Sequence, residues 1–387
     1  MIDFFDDLFD RKSWVFNRYT QISYSEDGHT LFESQDAPND TLPHSKQALP
    51  LKFVPDYLAL ELKNKHLFHI GKVNHVKGYS IYLDGFASAE DYLKKQFRSK
   101  AKTIRRYTKR LESCFNISYK LYHGQIDKAE YRFIMDALES MKEKRFDRRN
   151  DKDESLSHWE YTRETTFARI NKKQASLFVI YNETKPIEIS INFHFDNILY
   201  SCISSYDIDY SKFGLGHIEI FKQIEWCIQN NYKVFEMGRG DLDYKRRWSN
   251  KIYFFQYQLV YPKGSIIALF KLIILKAFLS IKVYIKSKKI HLYFKKLLKS
   301  KPNPIENDAA QYKIIPAEND LVMDSFCPID HMKGATKIPL EIIRNFQYTH
   351  TEHTSDLSVY QSKKDGNFLI KGKNSKARIL LEKKETL

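Results

Sequence analysis

The stretch Asp207–Trp248, DIDYSKFGLGHIEIFKQIEWCIQNNYKVFEMGRGDLDYKRRW, holds a glycine turn, an apolar-faced segment and a charged corner. Ile220, Phe221, Ile224, Cys227 and Ile228 recur at three- and four-residue spacing, which predicts a helix over His217–Gln229. Gly214-Leu-Gly216 stands before that helix and Asn230-Asn231 ends it. Lys233-Val-Phe-Glu-Met237 then reads as a strand that runs into Gly238-Arg-Gly-Asp241. Tyr244-Lys-Arg-Arg-Trp248 closes the stretch with three cations between two aromatics.

Working outward, Ala175–Tyr181 is nearly all apolar, Ile187–Phe195 alternates, and Ile198–Ser204 follows an Asp196-Asn197 turn, giving a hairpin. Ile252–Tyr261 supplies one more strand, stopped by Pro262. Helices are expected over Glu130–Arg145 and His158–Asn171, with the charged stretch RFDRRNDKDESLS between them. Strands followed by a glycine loop, a helix and another strand predict an α/β (α+β) fold: a mixed sheet flanked by helices.

At 387 residues the chain suits two domains plus extensions, and its 42% apolar share excludes a disordered protein. The four cysteines are scattered, which excludes a disulfide framework and any paired zinc spacing. No metal is expected: His66 with His69, and His350 with His353, have no third ligand. The N-terminal MIDFFDDLFDRK lacks the basic region and apolar run of a signal peptide, so the expected location is cytoplasmic.

The net charge of +15 is regional. Lys263–Pro302 holds eleven lysines and no acidic residue, leaving +4 for the rest. Its Ser265–Lys282 portion is rich in Ile, Leu and Phe but interrupted by Lys271 and Lys276, which makes a bilayer span expensive. Peripheral contact through 265–300 with the inner membrane face and a helix docked on the catalytic domain are the two readings. A second basic run, Lys94–Arg110, belongs to a helix expected from Glu90 to Glu112, with Leu93, Phe97, Ala101, Ile104, Tyr107 and Leu111 on its apolar face. The basic face opposite is either solvated or turned toward an anion.

Glycines directly before a helix let backbone approach a ligand, and the first-turn amides favour a phosphate. The cluster from Gly238 to Trp248 has two readings. One is an acid–base corner at a strand end; the other is an ion-pair corner in which Arg239, Arg246 and Arg247 pair Asp241 and Asp243. Trp248 is expected to be packing. Glu188 and Asn192 share a strand face and are candidates to touch an acceptor, with His194 a weaker one. The tripeptide Arg239-Gly-Asp241 also resembles a cell-adhesion signal, a reading that needs an extracellular loop, and nothing else in the chain supports one.

Residues 50–262, most specifically 238–248, resemble GNAT-type acyltransferases of the cellulose-biosynthesis acetyltransferase-like group and, more distantly, the Fem peptidyltransferases. The resemblance rests on Gly214-Leu-Gly216, the helix after it, Val234-Phe-Glu-Met237, Gly238-Arg-Gly-Asp241, Tyr244-Lys-Arg-Arg-Trp248 and the arginine-rich helix around Arg105-Arg106. It implies two tandem GNAT-like halves: 1–125 as a degenerate half and 126–262 as the catalytic domain. A basic apolar helical segment at 263–302 and a small accessory region at 303–387 complete the expected organisation.

It further implies that the strands at 198–204 and 233–237 lie parallel and adjacent, with an acyl-coenzyme A arm in the notch between them. Ser211, Lys212, Gly214, Leu215, Gly216 and His217 would hold the pyrophosphate. The family's common pattern has Gln or Arg where this chain has Ser211, with Lys212 beside it; both glycines remain. Asp241, Tyr244 and Lys245 are the implied catalytic set: Asp241 to take a proton or orient the acceptor, Tyr244 as acid or stacking surface, Lys245 as oxyanion or phosphate partner. Arg239 would fix a carboxylate or phosphate.

The function so implied is N- or O-acyl transfer, with acetyl-CoA as co-substrate, to a small-molecule or lipid-linked sugar acceptor of an envelope or exopolysaccharide precursor. Two alternatives are a Fem-like transferase fed by aminoacyl-tRNA, the one case that involves nucleic acid, and a non-catalytic membrane- or nucleic-acid-binding adaptor.

Overall fold

The structure is a computed structural model that describes residues 2–10, 13–34, 49–148, 158–287, 311–317, 325–330 and 338–382. The charged stretch 149–157 and the distal basic segment 288–302 lie outside the described residues. Strands in chain order are β1 (Ile2–Asp3), β2 (Tyr19–Tyr24), β3 (Thr30–Glu33), β4 (Leu49–Pro55), β5 (Leu58–Leu62), β6 (Phe68–Tyr82), β7 (Ile117–Tyr122), β8 (Ala175–Asn182), β9 (Lys185–Phe195), β10 (Ile198–Tyr206), β11 (Val234–Arg239) and β12 (Lys251–Pro262). The C-terminal region adds β13 (Gln311–Pro316), β14 (Phe326–Ile329), β15 (Ser358–Ser362), β16 (Phe368–Lys371) and β17 (Lys376–Glu382). Helices are α1 (Phe4–Phe9), α2 (Ser13–Arg18), α3 (Ala89–Phe97), α4 (Ala101–Cys114), α5 (Lys128–Asp147), α6 (Trp159–Asn171), α7 (Leu215–Gln229), α8 (Asp243–Trp248), α9 (Ile266–Ser287) and α10 (Leu340–His350).

The chain divides into two compact units that interleave along the sequence. One comprises 1–97, 192–202 and 224–304; the other comprises 98–191, 203–223 and 305–387. The first carries strands in the order β1-β4-β12-β6-β11-β10, a mixed sheet. β1 pairs β4 parallel, β12 pairs β4 and β6 antiparallel, and β11 pairs β6 antiparallel. β10 and β11 run parallel, with Ile198–Tyr200 in register with Val234–Glu236, the relation that the resemblance implied for these strands. A three-stranded antiparallel sheet, β3-β2-β5, belongs to the same unit.

α1 is short, and its burial rather than its propensity holds it in place. Asp3 caps it by accepting from the Phe5 amide at 3.2 Å, and Phe4, Phe5, Leu8 and Phe9 are buried. The Phe5 ring lies 4.5 Å from that of Tyr200 on β10.

The second unit carries β9 as far as Ile191 together with β8 and β7, with β7 antiparallel to β8, and places α4, α5 and α6 in the same unit. Every residue of β8 but Asn182 is buried, as its unbroken apolar run predicts. In the C-terminal region the described strands form a five-stranded antiparallel sheet, β13-β17-β16-β15-β14, with its own core of Ile343, Phe346, Val359, Phe368, Ile370 and Ile379. α10 docks on α4: Arg110 donates to the Tyr348 carbonyl at 2.6 Å, and Thr354 donates to the Cys114 carbonyl at 3.2 Å. Arg344 is 1% exposed, with its guanidinium 4.7 Å from the Phe115 ring and 5.0 Å from the Tyr210 ring.

The continuous helix expected from Glu90 to Glu112 is two helices. α3 ends at Phe97, Arg98 takes a φ of 50°, and α4 begins at Ala101 after a tight turn. A left-handed residue cannot continue the i to i−4 ladder. The break follows from anchoring that composition does not show. Tyr92 donates to the Trp248 carbonyl, and Phe97 packs edge-on to the Trp248 ring at 4.6 Å, fixing where α3 must end. Ser88 caps α3, its Oγ accepting from the Asp91 amide at 3.1 Å.

Candidate active site

In the first unit, β11 delivers Glu236, Gly238, Arg239 and Gly240, and α8 returns Lys245 to them. Gly238 and Gly240 have φ of 71° and 105°, so the chain turns sharply between strand and helix where a side chain would be strained. The turn wraps the Lys245 ammonium, which donates to the carbonyls of Met237 and Arg239, each at 2.6 Å. Lys245 is buried, and burial lowers its pKa to about 8 against the opposing pull of Glu236. These bonds use two of its three N–H donors.

Glu236 was not among the sequence candidates. It is fully buried, accepts from the Tyr57 hydroxyl at 2.9 Å and the Gly238 amide at 2.6 Å, and burial pushes its pKa to about 7. The signal that could have found it is a carboxylate inside the otherwise apolar Val234–Met237 strand. It fixes the entry to the glycine turn and supplies the charge facing Lys245.

Asp241 sits on the exposed side of the same turn. It accepts from Tyr79 and is paired with Arg246, which also pairs Asp243. The Tyr79 hydrogen bond, then the Arg246 contact, hold its pKa below the usual carboxylate range. The ion-pair corner is thus realised through Arg246, and Asp241 is a weak proton acceptor. Arg239 is exposed, with its guanidinium 4.3 Å from the centre of the Phe53 ring. Tyr244 is 41% exposed. Trp248 is fully buried, and α8 is further held by Gln96, which donates to the carbonyls of Arg247 and Ser249 at 2.8 Å each. Asn192 and His194 are buried, and His194 Nδ1 lies 2.7 Å from the Tyr232 hydroxyl.

In the second unit, Gly214 ends a tight helical turn over Ile208–Phe213 with φ of 67°. A Cβ there would lie 2.7 Å from the Tyr107 ring, so glycine is needed for both conformation and space. The ladder of α7 begins with the His217 and Ile218 amides donating to the Gly214 carbonyl at 2.8 and 3.2 Å. The Leu215 and Gly216 amides precede that ladder, where a helix has no carbonyl of its own to offer. A Cβ on Gly216 would meet nothing within 4 Å. Ser211 and Lys212 are exposed, the Leu215 side chain is core, and the His217 ring stacks on Tyr107 at 5.9 Å. On α4, Lys102, Arg105, Arg106 and Lys109 are exposed.

Glu188, on β9, is 1% exposed, and neither carboxyl oxygen has a hydrogen-bond partner among the described residues. Burial first, then Glu219, raises its pKa well above the usual value. Glu219 is buried too, accepts from Gln223 at 2.8 Å, and is pushed up to about 7 by burial. Gln223 also donates to Ser190 at 3.1 Å.

The candidates therefore fall into two groups. Asn192, Arg239, Asp241, Tyr244 and Lys245 lie in the first unit; Glu188, Ser211, Lys212, Gly214, Leu215, Gly216 and His217 lie in the second. A cavity of about 530 Å³ in the first unit, bordered by Asp27, Tyr82, Asp84 and Lys233 among others, includes none of them.

Residues 98–246 match the family model described as an acetyltransferase (GNAT) domain. The matched stretch takes in β7 to β11 and α4 to α7. Solved structures that align with the chain at low identity include a conserved protein of unknown function from Bacteroides thetaiotaomicron VPI-5482, at 9% identity and TM-score 0.40, covering 56% of this chain and 70% of that one. FemX aligns at 9% identity and TM-score 0.40 over 55% and 71% of the two chains, and L-PGS from Bacillus licheniformis at 11% and 0.37 over 59% and 72%. No curated protein sequence matches the chain.

Proposed function

We propose that the protein transfers an acyl group, acetyl in the simplest case, from acyl-coenzyme A to an amino or hydroxyl group of a sugar-based envelope or exopolysaccharide precursor. The observation that carries the acyl-transfer part is the family match, whose span takes in the glycine turn at Gly214 and ends just past Lys245. The acceptor class rests on the sequence resemblance. In the reaction the acceptor nitrogen or oxygen bonds to the acyl carbon, the C–S bond breaks, the thiolate leaves, and the acceptor's proton passes to solvent.

Lys245 is the group we assign to the developing oxyanion. Its ammonium is held by two carbonyls and desolvated, so its remaining N–H acts with little reorganisation. Asp241 would orient the turn through Arg246, and Tyr244 is the residue we assign to offer its hydroxyl to the leaving group. Glu236 positions the strand end and keeps opposite charge near Lys245. In the second unit, the Leu215 and Gly216 amides with Lys212 would hold the pyrophosphate.

One observation favours a second donor class. The exposed row Lys102, Arg105, Arg106 and Lys109 on α4 suits the phosphodiester backbone of an RNA, as an aminoacyl-tRNA donor would require. Thermal-shift titration separates the two readings, since a ligand of the folded state raises the melting point. Acetyl-CoA is expected to shift it, and no shift at millimolar acetyl-CoA with a salt-sensitive shift by charged tRNA would replace the first reading.

A further inference from the structure

Helix α9 has two unlike faces. Ala268 and Leu279 are buried, and Leu272 packs against Gly71 on β6 beside Leu259 and Tyr261, which fixes one side of the helix to the sheet. On the other side Ile266, Ile267, Phe270, Ile273, Ile274, Phe278 and Ile281 are each at least 58% exposed. With 3.6 residues per turn these seven fall on one continuous arc. Exposed Lys271 and Lys276 stand at its two borders, one on each side.

So large an apolar face on a water-soluble surface marks an interaction site. Its charge setting selects the partner. The sequence from Lys263 to Pro302 has eleven lysines and no acidic residue. A second copy of the chain laid face to face would bring the same lysines against each other. Among the described residues no helix is long and apolar enough to cross a membrane. An apolar arc bordered by lysines fits a helix lying in the plane of a bilayer, with its side chains among the acyl chains and its ammonium groups at the lipid phosphates.

We infer that α9 docks the protein on an anionic lipid surface, independently of which acyl donor it uses. The inference is tested by floating the full chain with vesicles of phosphatidylcholine alone or mixed with phosphatidylglycerol. The chain should float with the anionic vesicles and lose most of that recovery in high salt. Two paired variants separate the contributions: Phe270→Asp with Ile274→Asp, and Lys271→Glu with Lys276→Glu. Each should lower partitioning about tenfold or more, the lysine pair through the lost attraction to anionic lipid. All four positions are exposed, so melting temperatures should stay at the parent value, and a melting curve on each variant shows that it remains folded. Recovery equal with and without lipid would overturn the inference. So would unchanged recovery in both variants, or dimerisation that the Asp pair abolishes while lipid has no effect.

Discussion

The Tyr107 ring occupies the space that a Cβ on residue 214 would need, 2.7 Å from its position. The glycine turn is therefore built against α4, and α10 braces the same core through Tyr348, whose ring meets Phe213 at 5.1 Å.

Gly214→Ala should destabilise the fold by about 2–6 kcal/mol, because a left-handed non-glycine residue and an overpacked contact each cost about 1–3 kcal/mol. The two parts are separable by chemical denaturation. Adding Tyr107→Ala opens the space but leaves the φ of 67°, so Gly214→Ala in that background should cost less than in the parent. An equal cost in both backgrounds would show that the ring contact contributes nothing.

Lys245 has a pKa lowered to about 8, which gives two signs to check. A reaction that needs the ammonium should lose rate as pH rises through about 8. Lys245→Arg, which stays charged, should lack that limb; Lys245→Met should lower kcat on the order of a hundredfold, as loss of an oxyanion donor does. For stability, the unfolded lysine binds its proton more tightly than the folded one, so the parent should gain stability between about 8 and 10.5. Lys245→Met should not, and a rate profile unchanged in Lys245→Arg would remove the lysine from the chemistry.

Asp241→Asn should change kcat less than Lys245→Met does. Its carboxylate is tied to Tyr79 and Arg246 with a pKa held low, so it is a poor base at neutral pH. Steady-state kinetics of the two variants side by side decide this. A loss for Asp241→Asn as large as for Lys245→Met would return the carboxylate to a direct role.

Much of this arrangement is legible in the sequence where the period is strong. The β8, β9 and β10 strands, α7 and β12 follow from apolar runs, alternation and glycine or proline stops. The parallel neighbours β10 and β11 came from the family resemblance, since pairing is long-range and leaves no local mark. The break at Arg98 was hidden because no proline or glycine announces it; contacts of Tyr92 and Phe97 with Trp248 set it. The Gly-Arg-Gly-Asp letters mark a strand end that carries glycines, a cation and a carboxylate. They could not show that Lys245 turns inward onto two carbonyls, or that Arg246 rather than Arg239 pairs Asp241. In the C-terminal region short strands gave a weak local signal, and the sheet they form depends on pairings such as β13 with β17, far apart in sequence.

The buried carboxyls set a pH dependence of the whole fold. Glu219 has a folded pKa pushed to about 7 from the usual 4.5, so between those values the folded state keeps a proton that the unfolded chain has lost. Stability from this group is complete below about 4.5 and is lost as pH rises through about 7. At about 1.4 kcal/mol per pKa unit the loss is roughly 3 kcal/mol. Glu236, also near 7, should act in the same direction. Urea midpoints of the parent should therefore fall from pH 5 to pH 8. Glu219→Gln keeps the shape but cannot ionise, so it should match the parent most closely at the acid end and exceed it increasingly toward pH 8. Parallel pH profiles for parent and variant would mean that Glu219 titrates alike in the folded and unfolded chain.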